Sequence, residues 1–278
     1  TVDTAIGAAT IDASGMTVGL VTDAGLTMST AHTAAQTITG SGKADTIFGS
    51  TKSDTINAGA GADNITSGAG GDTIDGGAGT DTYITTADDT AANINGAGTG
   101  TSTGIVINLG TTAITDAAVL GQIAQNISGS LTSVGAGQAA YVFNGSLSSN
   151  SALVDTITNV ENITVADGIN YVVGTAGANT INGGSSTDYI SGGLGADTID
   201  PGLTGDIVAL TETTASADIV VINELTDGGV YFDGADADGV VNGLTAGQDE
   251  TESTATSFGT GDFISGFTIG TDVIQIGG

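Results

Sequence analysis

Between Gly40 and Ile84 a large apolar residue returns every nine positions: Ile47, Ile56, Ile65, Ile74 and Tyr83. Two positions before each stands an aspartate, Asp45, Asp54, Asp63, Asp72 and Asp81, and the intervening positions are mostly Gly, Ala, Ser and Thr. The stretch reads as five copies of one phrase: GSGKADTIF, GSTKSDTIN, AGAGADNIT, SGAGGDTID and GGAGTDTYI. A second run from Gly174 to Ala209 keeps the beat with GTAGANTIN, GGSSTDYIS, GGLGADTID and PGLTGDIVA. There the sixth position holds Asn179, Asp188, Asp197 and Asp206, and the eighth holds Ile181, Ile190, Ile199 and Val208.

This pattern predicts a coil. The first six residues of each phrase must turn tightly, which glycine permits because it reaches positive φ without steric cost. The last three form a very short strand whose middle residue points inward while its neighbours point outward. Two phrases then close one flattened coil, and successive coils stack at roughly 4.8 Å, the ordinary spacing between strands. Ile47, Ile65 and Tyr83 should line one inner sheet, with Ile56 and Ile74 on the other. The predicted fold class is all-β, built of parallel β-roll or β-solenoid blocks with intervening and capping β segments and at most one or two short helices.

One inward aliphatic per nine residues is too little burial to offset the entropy of ordering nine residues. Stacking also brings equivalent carboxylates together: Asp45 with Asp63, Asp63 with Asp81, Asp54 with Asp72, Asp188 with Asp206, and Asn179 with Asp197. Two unit charges about 5 Å apart repel by roughly 3 kcal/mol at an effective dielectric near 20. A divalent cation between turns reverses that sign. Calcium suits the site, because it accepts six to eight oxygens in flexible geometry and turns supply carboxylates and backbone carbonyls. The expected metal ligands are Asp45, Asp54, Asp63, Asp72, Asp81, Asn179, Asp188, Asp197 and Asp206, binding several Ca2+ ions. Lys43 and Lys52 replace the fourth-position glycine in the first two phrases and are the only basic residues of the chain.

The phrase resembles the G-G-x-G-x-D-x-U-x nonapeptide of calcium-binding RTX proteins. The resemblance implies the same β-roll and the same ligand, as well as export by type I secretion with a signal at the extreme C-terminus. The chain begins at Thr1 without a visible leader, as a trimmed fragment would, and ends in what reads as folded strand. The secretion signal is therefore expected to lie beyond it.

Five segments are expected: an N-terminal β segment (1–39), the first roll (40–84), a β-rich insertion (85–168), the second roll (169–209) and a C-terminal capping region (210–278). Gln36 and Ile38 stand in phase with Asp45 and Ile47, so the roll should start one coil early without a carboxylate. In the insertion, residues 104–109, 139–143 and 153–158 read as strands, and Asp116 caps a short helix over 117–127 with Val119, Leu120, Ile123 and Ile127 on one face. The phrase DTITNVEN (155–162) is similar to the lead-in of RTX repeats in surface proteins. The segment 263–276, with Phe267, Gly270, Asp272 and Ile274, resembles their closing strands, which are needed because an open roll exposes strand edges. The segment 233–239 does not fit the spacing of an EF-hand and reads as an acidic loop, and the charge run at 249–252 reads as solvated.

The net charge of −29, with 2 basic residues among 278, excludes recognition of a phosphate backbone. Cysteine is absent, so no disulfide can stiffen the chain. No apolar run is long enough for a membrane span. His32 is the only histidine, and neither an H-E-x-x-H nor a G-x-S-x-G motif occurs, so no catalytic role is expected.

Thr/Ala/Gly/Ser richness, the near absence of basic residues and β segments between repeat blocks resemble the C-terminal region of RTX-type surface-layer proteins of Gram-negative bacteria. That resemblance implies a calcium-dependent structural protein at the bacterial cell surface, extracellular, whose main partner is itself in a sheet or lattice. Cell-surface polysaccharide, contacted through a region outside this chain, is the further partner it allows. The alternatives are a calcium-stiffened module of a large RTX adhesin, or the secretion and folding module of an exported enzyme.

Overall fold

The structure is a computed structural model that describes residues 9–15, 25–28, 33–85, 102–114, 133–143, 146–147, 154–203, 206–210, 217–222, 230–233, 262–265 and 273–276. The expected helix at 117–127, His32, most of the two acidic loops, and Phe267, Gly270 and Asp272 lie outside the described residues. Among the described residues there are strands and turns and no helix. The chain divides into two compact units, Thr1–Ala166 and Asp167–Gly278.

The first unit is a roll of two parallel sheets. One sheet runs in the order β1 (Ala9–Asp12), β2 (Gln36–Thr39), β4 (Thr55–Asn57), β7 (Thr73–Asp75), β13 (Val154–Thr158). The other runs β3 (Thr46–Ser50), β6 (Asn64–Gly68), β9 (Thr82–Ile84), β14 (Asn162–Thr164). The turns between add a small ladder, β5 (Ala60–Gly61) on β8 (Ala78–Gly79).

Register follows the nine-residue beat. Ile11, Ile38, Ile56, Ile74 and Ile157 are consecutive partners on the first sheet. Ile47, Ile65, Tyr83 and Ile163 are consecutive partners on the second. All nine are buried. A one-residue slip would turn every one of them to solvent, which is why the register is well specified. Thr55 and Thr73, outward on the same strands, supply the β-branched residues that suit an extended backbone. The early coil expected from Gln36 and Ile38 is present as β2.

The insertion is only partly an interruption. Strands β10 (Ser102–Asn108) and β11 (Gln138–Phe143) pair antiparallel, and β11 pairs antiparallel with β13, extending the first sheet; β12 (Ser146–Leu147) pairs with β11. Residues 154–164 then rejoin the roll as a full coil, with β13 on β7 and β14 on β9, both parallel. The roll resumes because Ile157 and Ile163 supply the two inward aliphatics that a coil requires.

The second unit repeats the plan. β15 (Tyr171–Val173), β17 (Tyr189–Ser191), β19 (Ile207–Ala209), β22 (Asp262–Ser265) and β21 (Val230–Asp233) form one parallel sheet. β16 (Thr180–Asn182), β18 (Thr198–Asp200), β20 (Ile219–Ile222) and β23 (Val273–Ile276) form the other. Val172, Ile190, Val208 and Ile264 make one buried column. Ile181, Ile199 and Val220 continue in register to Ile274 on the other sheet. The outward rings of Tyr171 and Tyr189 stack with centroids 6.1 Å apart.

Candidate metal centre

Each aspartate sits at the last turn position before a strand, and its placement follows from the stacking. The backbone N–H of Asp45 donates to Asp63 Oδ1 at 2.7 Å, and that of Asp63 donates to Asp81 Oδ1 at 2.9 Å. On the other edge Asp54 N–H donates to Asp72 Oδ1 at 2.7 Å. In the second unit Asp188 N–H reaches Asp206 Oδ1 at 2.7 Å and Asn179 N–H reaches Asp197 Oδ1 at 2.8 Å. The residues expected to face each other are therefore brought together in all five pairs. The link is a carboxylate on the backbone of the preceding coil, and it uses only one of the two carboxylate oxygens.

All nine predicted side chains are buried. For Asp63, Asp81 and Asp188 the second oxygen, Oδ2, is also buried and has no hydrogen-bond partner among the described residues. A buried carboxylate oxygen without a donor is costly unless something satisfies it. The electrostatics agree. Burial pushes the Asp63 carboxyl up to about 6; the Asp45 N–H opposes this, and the nearby charges of Asp45 and Asp81 add to it. Burial pushes Asp188 up to about 9, against the Asn170 N–H and with the charge of Asp206. Asp81 is raised as well, first by burial.

Beside two of these oxygens, those of Asp81 and Asp188, the space is kept open by glycine; the equivalent position in the turn of Asp63 is Ala58. A Cβ on Gly76 would come within 2.8 Å of Asp81 Oδ2 and would overlap the Asn159 carbonyl. A Cβ on Gly183 would lie 2.9 Å from Asp188 Oδ2 and against the Pro201 carbonyl. Each cradle thus joins a carboxylate oxygen to a backbone carbonyl of the adjoining coil, an all-oxygen donor set of the kind calcium takes. Among the described residues no three His, Cys, Asp or Glu side chains converge, so ligation has to draw on those carbonyls. Asp63 and Asp81 in the first unit, and Asp188 separately in the second, would each help to hold an ion in their own roll, supplying the positive charge that the stacked carboxylates lack.

Three further acids occupy ladder positions that the nine-residue count did not reach. Asp72 N–H donates to Asp155 Oδ1 and Asp81 N–H donates to Glu161 Oε2, both at 2.9 Å. Asp197 N–H donates to Asp218 Oδ1 at 2.8 Å. Each is followed two positions later by an inward aliphatic, Ile157, Ile163 and Val220. That local acid-x-aliphatic phrase is the signal that could have found them.

The RTX calcium-binding nonapeptide repeat matches the chain in four copies, at residues 39–74, 48–83, 62–89 and 165–199. Repeats of this family bind calcium, several ions to a block. Comparison with curated proteins gives no match.

Proposed function

The chain carries RTX calcium-binding nonapeptide repeats, and on that premise we propose that it is a structural component of a bacterial surface layer, folding and assembling with itself at the cell surface when calcium is present. The coarser role is that of a calcium-binding structural module of a secreted protein.

The observation that carries the reading is the stacked carboxylate ladder with buried, unpartnered oxygens at Asp63, Asp81 and Asp188. A chain built this way is poorly held without cations and stiff with them, and the calcium difference between cytosol and exterior then decides where it folds. Assembly follows from the charge. At −29 with 2 basic residues, copies repel one another and have almost no ammonium or guanidinium groups for cross-chain ion pairs. Regular self-association has to use bridging cations, strand-edge pairing or apolar contact. The proposed role is structural rather than catalytic.

Light scattering recorded alongside circular dichroism during a calcium titration tests this. Two thresholds are expected, folding at lower calcium and assembly into ordered sheets at higher calcium, with electron microscopy to image the sheets. A folded chain that stays monomeric at millimolar calcium and high protein concentration rejects the lattice and supports the adhesin-module alternative.

A further inference from the structure

The repeats contain two kinds of turn. At the second position Gly59, Gly77 and Gly184 adopt φ of +108°, +97° and +96°, and these are the turns of Asp63, Asp81 and Asp188, whose Oδ2 atoms have no hydrogen-bond partner among the described residues. The opening turns of the two blocks are different. Ser41, Ser50 and Thr175 hold the second position there, and none has a positive φ.

Their hydroxyls and amides close on the ligand residue of their own turn. Ser41 N–H donates to Asp45 Oδ2 at 2.6 Å and its hydroxyl donates to Asp45 Oδ1 at 2.7 Å. Ser50 N–H donates to Asp54 Oδ2 at 2.5 Å and its hydroxyl to Asp54 Oδ1 at 2.9 Å. Thr175 N–H donates to Asn179 Oδ1 at 2.8 Å, and the Asn179 amide donates to the Thr175 hydroxyl at 2.9 Å. Each hydroxyl also accepts a turn N–H, from Lys43, Lys52 and Gly177. Leu26 and Gln36 complete the sets by donating their N–H groups to Asp45 Oδ1 and Asp54 Oδ1. Both oxygens of Asp45 and Asp54 are therefore satisfied by protein donors. Asn179 carries no charge for a cation to offset.

We propose that Ser41, Ser50 and Thr175 are built-in caps that stand in for calcium, so that each block opens on turns that take no ion and loads calcium only onto the glycine turns that follow. This rests on the calcium reading above and divides its ligand ladder into two classes. An opening turn that needs no metal gives the first calcium-loaded coil a surface to stack on. The costly step of ordering the first turn is then separated from ion binding.

The test is the number of calcium ions held by the full chain at saturating calcium, read by native mass spectrometry, with circular dichroism confirming the fold. Asp63→Asn should lower the count relative to wild type, whereas Asp45→Asn should leave it unchanged. In the opposite sense, the double variant Ser41→Gly with Ser50→Gly should gain ions and need more calcium to fold, because two carboxylates lose their hydroxyl donors. Equal losses in Asp63→Asn and Asp45→Asn, or a serine-to-glycine variant with the wild-type count, overturn the inference and leave the calcium reading standing. A wild-type chain that binds no calcium removes both.

Discussion

The hydroxyl of Tyr83 donates to Asp155 Oδ2 at 2.6 Å, across the interior of the first roll and between residues 72 apart in sequence. Tyr83 takes the inward position that isoleucine holds in the four preceding phrases, and it is fully buried, as is Asp155. The Ser67 hydroxyl lies 3.3 Å from the same Asp155 oxygen. At this coil a phenol does for a ladder carboxylate what a cation would otherwise do, and it fastens the chain where it returns from the insertion.

Tyr83→Phe should therefore loosen that return without changing the hydrophobic column. Losing one buried hydrogen bond to a charged acceptor costs about 1.5–3 kcal/mol. Thermal unfolding in saturating calcium should show a lower midpoint for the variant, while an unchanged midpoint would remove the role given to this contact.

Glycine in the second turn position is required by conformation and by space. Gly77 has φ of +97°, and a Cβ there would run into the Gly59 carbonyl. Gly77→Ala should destabilise by more than about 1 kcal/mol. Gly42, which has no positive φ and nothing within 4 Å of its Cβ position, should accept alanine with little effect. Denaturant unfolding of the two variants in calcium gives the comparison, and equal stabilities would contradict it.

Asp63 is held on both sides, accepting from Asp45 and donating to Asp81. Asp63→Ala should raise the calcium midpoint of folding several-fold. Asp12→Ala removes an exposed aspartate whose carboxylate, among the described residues, is bonded to the nearby Ser14 alone, and should leave the midpoint where it is. Matching midpoints in a calcium titration of the two variants would deny the ladder its part in folding.

Acid should partly replace calcium. Asp63 and Asp188 have folded-state pKa values raised to about 6 and about 9 from 3.8. A raised carboxyl binds its proton more tightly in the folded chain. Its contribution to stability is fully present below the unfolded value near 3.8 and is lost as pH rises through the folded value. In chelator, β content should therefore fall between about pH 4 and pH 9, and the calcium midpoint should drop over the same range as protons leave the ligand oxygens. Far-ultraviolet circular dichroism at fixed calcium across pH reads this, and β content that rises with pH in chelator would reverse the sign.

Where the chain keeps a strict period, the sequence is enough to place residues. The columns through Ile47 and Ile65 and through Ile56 and Ile74, and the pairing of Asp45 with Asp63, follow from counting nines, because a stacked coil has no other way to bury one aliphatic per strand. Counting stops working when the chain leaves the roll. Asp155 and Glu161 occupy the rungs after Asp72 and Asp81, but the intervening excursion breaks the spacing that would have announced them. Asp218 follows Asp197 by 21 residues rather than 18, for the same reason. The two kinds of turn were hidden differently. Ser41 and Gly59 occupy equivalent positions, and only the backbone angle and the hydroxyl bonds reveal that one turn satisfies its carboxylate and the other does not.

The most direct test of the account is circular dichroism of the whole chain through a calcium titration. A chain held together by calcium gives a largely disordered spectrum at submicromolar calcium and neutral pH, turns β-rich by millimolar calcium and reverts on chelation. A β-rich spectrum that excess chelator leaves unchanged would contradict it, because the buried ladder oxygens would then be tolerated without the ion that the fold is built to hold.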